Sequence, residues 1–397
     1  MKITGLKAYV VDGAAVAVSQ GGGRLDREKS EMNWTFVRID TDEGITGFGE
    51  SSNYPGNGSL IVGDTVRRIA EFVIGEDPSD INRLWHKLFR KATYLGPRGL
   101  PTAVISGIDI ALWDIKGKAL GRPVYDLIGG KVRADVPLYA NAWFAACRTP
   151  EQYAEAARRV VATGHTVLKL DPFLEMEPLH TGYMAGQISP AGEELGVNIV
   201  AAVREGIGPA ITILVDAHGH YNVPTAVRLC RRLEPYRLGW LEEPVPPESH
   251  AALRAVREQV GVPICVGERL YTRWDFLPVF EQRLADYVMP DIVWTGGISE
   301  MLRIATMAEA YFVPISPHNA MGSLQIVAGS HVAMTAPNFF RLEHCVWAIP
   351  AYQACLVQPI QFTDQRIIPS TRPGLGHDLN VELLRAHPAV GWTNDRE

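Results

Sequence analysis

The sequence predicts an α/β protein: a (β/α) TIM-type barrel preceded by an α+β capping domain, to which the C-terminal tail returns. Three observations lead there. The first part of the chain is made of short alternating strands, and a helical region with one apolar stripe follows it. From about Val136, eight β-branched runs alternate with amphipathic helical patterns, as parallel strands joined by crossovers require. At 397 residues the chain can fill one large domain or two ordinary ones. The boundaries read as residues 1–125 for the cap, 126–361 for the barrel and 362–397 for the returning tail.

Within the cap, Ile3–Val10 and Trp34–Ile39 alternate apolar and polar residues, and Thr41–Glu50 opens on the turn signal Asp42-Glu43-Gly44. A three-stranded antiparallel meander is expected. The Gly-rich stretches Ser19–Asn33 and Ser51–Ser59 read as mobile flaps over the barrel mouth. Helical periodicity runs from about Val62 to Leu120, with Ile105, Ile108, Ala111, Leu112 and Ile115 as one buried stripe.

The barrel strands are expected at Val136–Asn141, Thr166–Asp171, Ile211–His218, Leu238–Pro244, Pro263–Glu268, Tyr287–Ile292, Pro314–His318 and Phe340–His344. Helices are expected at Pro150–Thr163, Pro224–Leu233, Glu248–Val260 and Ile298–Ala310. Phe173–Glu194, with Gly, Pro and no clean period, reads as an insertion after strand two. Beyond about Gln361, the loop-like Pro369-Ser370-Thr371-Arg372-Pro373-Gly374 starts no ninth unit.

Composition excludes several partners. A net charge of −6 without a polybasic run argues against nucleic acid and anionic membrane surfaces. Cys147, Cys230, Cys265, Cys345 and Cys355 are scattered and odd in number, which suits reduced thiols of a cytoplasmic protein. No signal-like N-terminus or long apolar run supports secretion or a membrane span.

The ionisable residues fall at strand ends, which a parallel barrel delivers to one face. Lys169 and Asp171 end strand two, Asp216 and His218 strand three, and Glu242 strand four; Glu268, Asp291, His318 and Glu343 end strands five to eight. Asp216, Glu242 and Glu268 are spaced 26 residues apart, the step between barrel strands. Three carboxylates converging in a partly dry mouth need a counter-charge, and oxygen ligands without thiolate point to Mg²⁺, with Mn²⁺ as the alternative. Glu243, adjacent to Glu242, faces the other way on a strand and is the structural alternative. His318 is read as a base oriented by Asp291. His218, two residues after Asp216, is a second acid/base candidate. Lys169 is placed to neutralise a substrate carboxylate, Asp171 to pair with a cation or hydroxyl, and Glu343, if protonated, to donate to a developing enolate. His220 repeats the spacing past the strand end. Trp143, just beyond strand one, reads as pocket lining, with packing as the alternative.

These residues resemble the mandelate racemase-type branch of the enolase superfamily over essentially the whole chain. The resemblance is carried by Lys169-Leu170-Asp171, Val215-Asp216-Ala217-His218, Trp240-Leu241-Glu242-Glu243-Pro244, Val266-Gly267-Glu268-Arg269, Met289-Pro290-Asp291 and Ser316-Pro317-His318. Gly107–Lys118 and Pro373-Gly374-Leu375-Gly376 match its capping domain. It implies a modified barrel of seven to eight strands, one Mg²⁺ per subunit on Asp216, Glu242 and Glu268, and a homo-oligomer, octamers included. It is closest to the galactonate and gluconate dehydratases, because Lys-x-Asp and Asp-x-His end strands two and three. Racemases of the branch carry a second Lys where Asp171 stands, so elimination is favoured.

The implied chemistry is removal of the C2 proton of a sugar acid by His318 with Asp291. Lys169 and Glu343 would stabilise the enediolate, and His218 would protonate the departing 3-hydroxyl, leaving a 2-keto-3-deoxy acid. Rival readings on the same scaffold are an epimerase, racemase or cycloisomerase, and a barrel that binds a sugar acid without turning it over.

Overall fold

A computed structural model describes residues 1–20, 32–53, 58–176, 186–363 and 365–394. The chain begins with β1 (Ile3–Asp12), α1 (Gly13–Ser19), β2 (Asn33–Thr41) and β3 (Thr46–Glu50). The three strands form an antiparallel meander in the order β1-β2-β3. Its second turn needs Gly44, whose φ of 76° is left-handed. Helix α1 fills the stretch between the first expected strand and the first expected flap, where the sequence predicts no element, with the Asp12 carboxylate capping Ala15 N–H at 2.9 Å. The first expected flap otherwise lies mostly outside the described residues, as do positions 54–57 of the second.

The single helical region anticipated after the meander is three helices, α2 (Gly58–Arg68), α3 (Ile81–Lys91) and α4 (Leu100–Leu120), followed by the short α5 (Val124–Leu127). Gly75–Asp80 and Gly96–Gly99 break it. Helix α4 is buried on nearly every side rather than along one stripe, because the meander covers one face and the barrel the other. Glycines allow the close approach of β3: a Cβ on Gly47 would lie 2.3 Å from the carbonyl oxygen of Ala111, and one on Gly49 2.0 Å from that of Gly107.

The barrel alternates β4 (Val136–Asn141), α6 (Pro150–Ala162), β5 (Val167–Leu170), α7 (Pro190–Ile207), β6 (Thr212–Asp216) and α8 (Val223–Leu233). It continues with β7 (Trp240–Glu242), α9 (His250–Arg257), β8 (Ile264–Val266), α10 (Thr272–Glu281), β9 (Tyr287–Val288) and α11 (Gly297–Ala310), then α12 (Ser323–Thr335) and β10 (Leu342–Cys345). Strands β4 to β9 pair in parallel, and β10 pairs with β4. The expected seventh strand, Pro314–His318, forms no continuous ladder: Ile315 bridges Val288 and Phe339, and His318 bridges Asp291. The supposed insertion is shorter than read, because Pro190 already opens α7 with Ser189 as its cap; positions 177–185 lie outside the described residues.

After α13 (Ile349–Ala354), the hairpin β11 (Gln361–Thr363) and β12 (Arg366–Ile368) adds to β4, so the tail first extends the barrel sheet. Only then does it meet the cap: Gly374 packs on Gly117, and α14 (Val381–Ala386) lies against β1.

The barrel interior is a small core of Tyr139, Val167, Leu214, Trp240, Cys265 and Met289. Strand side chains repeat every two residues, so the residues two further on, Asn141, Lys169, Asp216 and Glu242, stand above this floor. The larger cores fill the layer between strands and helices and the seam between cap and barrel. Among the described residues no helix is long and apolar enough to cross a membrane.

Replacing Gly49 by Ala pushes a methyl group into the Gly107 carbonyl and should cost about 1–3 kcal/mol by overpacking. A thermal melt reads this as a lowered midpoint, and an unchanged midpoint would contradict the close approach of β3 and α4.

Candidate active site

At the C-terminal mouth of the barrel, carboxylate oxygens of Asp216, Glu242 and Glu268 all lie within 4.8 Å of one another. Asp216 closes β6 and Glu242 closes β7, where the two are register partners; Glu268 lies two residues past β8. Burial and mutual repulsion raise Glu242 and Glu268 above the usual carboxylate range. The Trp240 indole N–H donates to Glu242 Oε2 at 3.0 Å, tying this cluster to the barrel floor.

Lys169 is the internal counter-charge. Its Nζ lies 2.7 Å from Glu242, 3.0 Å from Glu343 and 3.2 Å from Asp216. Burial opposes its charge, but Glu242 and Glu343 hold it protonated well above the usual lysine range. Glu243 turns away from this group, with φ at 38°, and accepts from Arg269 Nε at 2.6 Å.

His318 stands by Glu268 and Glu343, its Nε2 3.4 Å from the first and 4.0 Å from the second. Its Nδ1 donates to Asp291 Oδ2 at 2.6 Å, which leaves Nε2 free for a proton. Burial would lower the imidazole, yet the charges of Glu268 and Glu343 and the Asp291 hydrogen bond push it up to about 9.

His218 sits beside Asp216, its Nδ1 3.4 Å from Oδ1 and 4.0 Å from Asp171. The strand ends at Asp216, so a left-handed turn at His218, φ 45°, and its N–H donating to Asp216 Oδ1 at 2.8 Å put it there rather than strand alternation. Burial drives this imidazole down to about 4. His220 is buried behind it, the two rings 6.1 Å apart. Trp143 packs edge-on against Phe144 and Tyr153, with its buried indole N–H unpaired.

Glu343 departs from expectation. Burial would raise it, but Lys169 and His318 hold it below its usual range, and Asn141 Nδ2 and the Asn319 N–H donate to it at 2.6 and 3.1 Å. These partners favour an ionised acceptor, whereas the donor role depended on Glu343 being held protonated. Asn141 was missed, although it stands two residues above Tyr139 and the strand-end rule reaches it. Trp294, whose ring lies 5.1 Å from that of His318, gave no sequence signal.

The chain matches two family models, Mandelate racemase / muconate lactonizing enzyme, N-terminal domain over residues 27–129 and Enolase C-terminal domain-like over 152–383. The chain belongs to the enolase superfamily. Among curated relatives it is 32% identical to a D-gluconate dehydratase of Thermoproteus tenax, over 92% of this chain and 72% of that one. It is 35% identical to a D-galactonate dehydratase of Pectobacterium atrosepticum, over 91% and 93%. A solved member of the enolase superfamily from Salmonella Typhimurium superposes with a TM-score of 0.88 at 30% identity, over 98% of both chains.

Members of this superfamily typically bind Mg²⁺, and the donors here fit such an ion: three buried carboxylates, with Asp216 Oδ2 lacking a hydrogen bond among the described residues and lying 3.2 Å from the Lys169 ammonium. Asp171, Asp216 and His218 form a second group of similar spacing that shares Asp216. A cation on Glu268 would cancel the strongest upward influence on His318 and bring it toward neutrality. Mg²⁺ binding at pH 7 should therefore release protons, and affinity should rise with pH until His318 and the raised glutamates are deprotonated. Calorimetry in two buffers of different ionisation enthalpy measures this, and binding without proton release would contradict it. Glu268→Gln should weaken binding at least tenfold in the same experiment, about 1.4 kcal/mol.

Proposed function

We propose that the chain is a Mg²⁺-dependent acid-sugar dehydratase that converts an aldonate or aldarate to its 2-keto-3-deoxy acid. The observation that carries this reading is the division of acid/base groups around the carboxylates: the His318–Asp291 pair beside Glu268, and His218 beside Asp216. The names of the gluconate and galactonate dehydratases among its relatives support the substrate class.

Asp216, Glu242 and Glu268 would hold the metal, which when bound supplies Lewis-acid stabilisation to the substrate's oxygens. His318 Nε2 takes the C2 proton, while Asp291 fixes the ring and supports its positive charge. Lys169 faces the substrate carboxylate and stabilises the negative charge that grows there. Glu343, ionised, holds Lys169 and Asn141 in place and accepts from a substrate hydroxyl. As the C3–O bond breaks, the hydroxyl leaves with a proton from His218 as water, and the resulting enol becomes the 2-ketone as C3 gains a proton and the 2-hydroxyl loses one.

Free His218, at about 4, is charged in only about one molecule in a thousand at pH 7. The acid role therefore requires the anionic substrate to lift its pKa on binding. Asp171, His220 and Trp143 are proposed to contact the substrate's remaining hydroxyls.

A library of aldonates and aldarates with Mg²⁺, read with a carbonyl reagent, tests this. Ketone product from at least one six-carbon aldonate is expected, and silence across the library would refute the proposal. Exchange of the C2 hydrogen in deuterated water without ketone would indicate an epimerase or racemase instead. His318→Asn should abolish both exchange and product, a loss of about 10²-fold or more; retained exchange would remove His318 from the base role.

A further inference from the structure

The hydrogen bonds behind His318 lead out of the barrel into the cap. Asp291 Oδ2 accepts from His318 Nδ1 at 2.6 Å and also from Gln325 Nε2 at 2.7 Å, while Oδ1 accepts from the Val293 N–H at 2.8 Å. Both oxygens are thereby held as acceptors, which opposes the upward pull of burial on this carboxylate and favours the His318 tautomer with its proton on Nδ1. Gln325 lies in the first turn of α12, and its amide cannot flip freely because Oε1 accepts from the Met321 N–H at 2.6 Å.

That turn is anchored by a residue from the other domain. Glu50, at the end of β3, accepts from the N–H groups of Gly322 and Gln325 at 2.6 and 2.9 Å, and from Ser52 Oγ at 2.6 Å. Gly322 is required for this approach, since a Cβ there would lie 2.6 Å from Glu50 Oε1. A second connection runs beside it. The Ser52 carbonyl accepts from the Trp294 indole at 2.7 Å, and the Trp294 ring packs on His318.

We propose that Gln325 is the positioning residue of the His318–Asp291 pair and that Glu50 sets it from the cap, so that the base is oriented only when the cap sits on the barrel. This rests on the reading of His318 as the base. A useful contrast is Asp109, on α4 of the cap, which also meets a barrel helix terminus and accepts from the Ser299 N–H at 2.9 Å. Ser299 lies in the first turn of α11, a different helix from the one that carries Gln325.

Gln325→Met keeps the length of the side chain and removes the donor; Glu50→Gln keeps an acceptor but turns a donor toward the N–H groups. For both, the downfield proton resonance of His318 Nδ1–H should move or broaden in the full-length, Mg²⁺-loaded chain. The kcat for C2 exchange should fall about ten- to hundredfold, with KM unchanged. Asp109→Asn should lower the melting midpoint yet leave the resonance and kcat as they are. The proposal is overturned if folded Gln325→Met keeps both the parent resonance and the parent kcat, or if Asp109→Asn moves the resonance as far as Glu50→Gln does. If no sugar acid is turned over, the proposed activity fails, while the resonance still decides whether Gln325 and Glu50 position the pair.

Discussion

Buried negative charge at the barrel mouth sets the terms for everything around it. Asp216, Glu242, Glu268, Asp291 and Glu343 are all nearly inaccessible to water, and among the described residues the cations that meet them include Lys169, His318 and Arg269. Charges so placed are costly unless paired. The cluster therefore calls for a cation, holds Lys169 protonated and makes His318 an unusually strong base. Lys169 and His318, kept charged by that cluster, in turn hold Glu343 below its usual range.

Holding such charges requires a rigid support, and the barrel supplies it through alternation. The floor residues Tyr139, Val167, Leu214 and Trp240 are packed into the interior, and each fixes the residue two positions on. Past the strand ends this rule lapses, and tight turns take over. His218 and Glu243 both adopt left-handed backbone, and one reaches Asp216 while the other swings to Arg269. Strained backbone of this kind persists where the surroundings over-determine it.

Much of this was legible in the sequence because it depends on period and spacing. The meander, the parallel runs, the carboxylates 26 residues apart and the His318–Asp291 pair all follow from local pattern combined with barrel geometry. What was not legible depends on contacts distant in sequence. Pro314–His318 reads as a strand, yet its neighbours meet it only at single bridges. The first turn of α7 reads as part of an insertion because Gly192, needed where Glu175 packs closely, disguises a helical period. Gln325 and Glu50 gave no signal, since their significance lies in bonds spanning 34 and 275 residues of chain.

In the proposed reaction, proton removal and loss of the hydroxyl fall to different histidines on the two flanks of the carboxylate cluster. The most direct measurement is proton NMR of a turned-over aldonate incubated with His218→Asn and Mg²⁺ in deuterated water. Separate roles require the C2 signal to disappear by exchange while no 2-keto-3-deoxy acid accumulates. Dehydration at the parent rate, or loss of exchange together with dehydration in a variant that still binds metal and substrate, would contradict it.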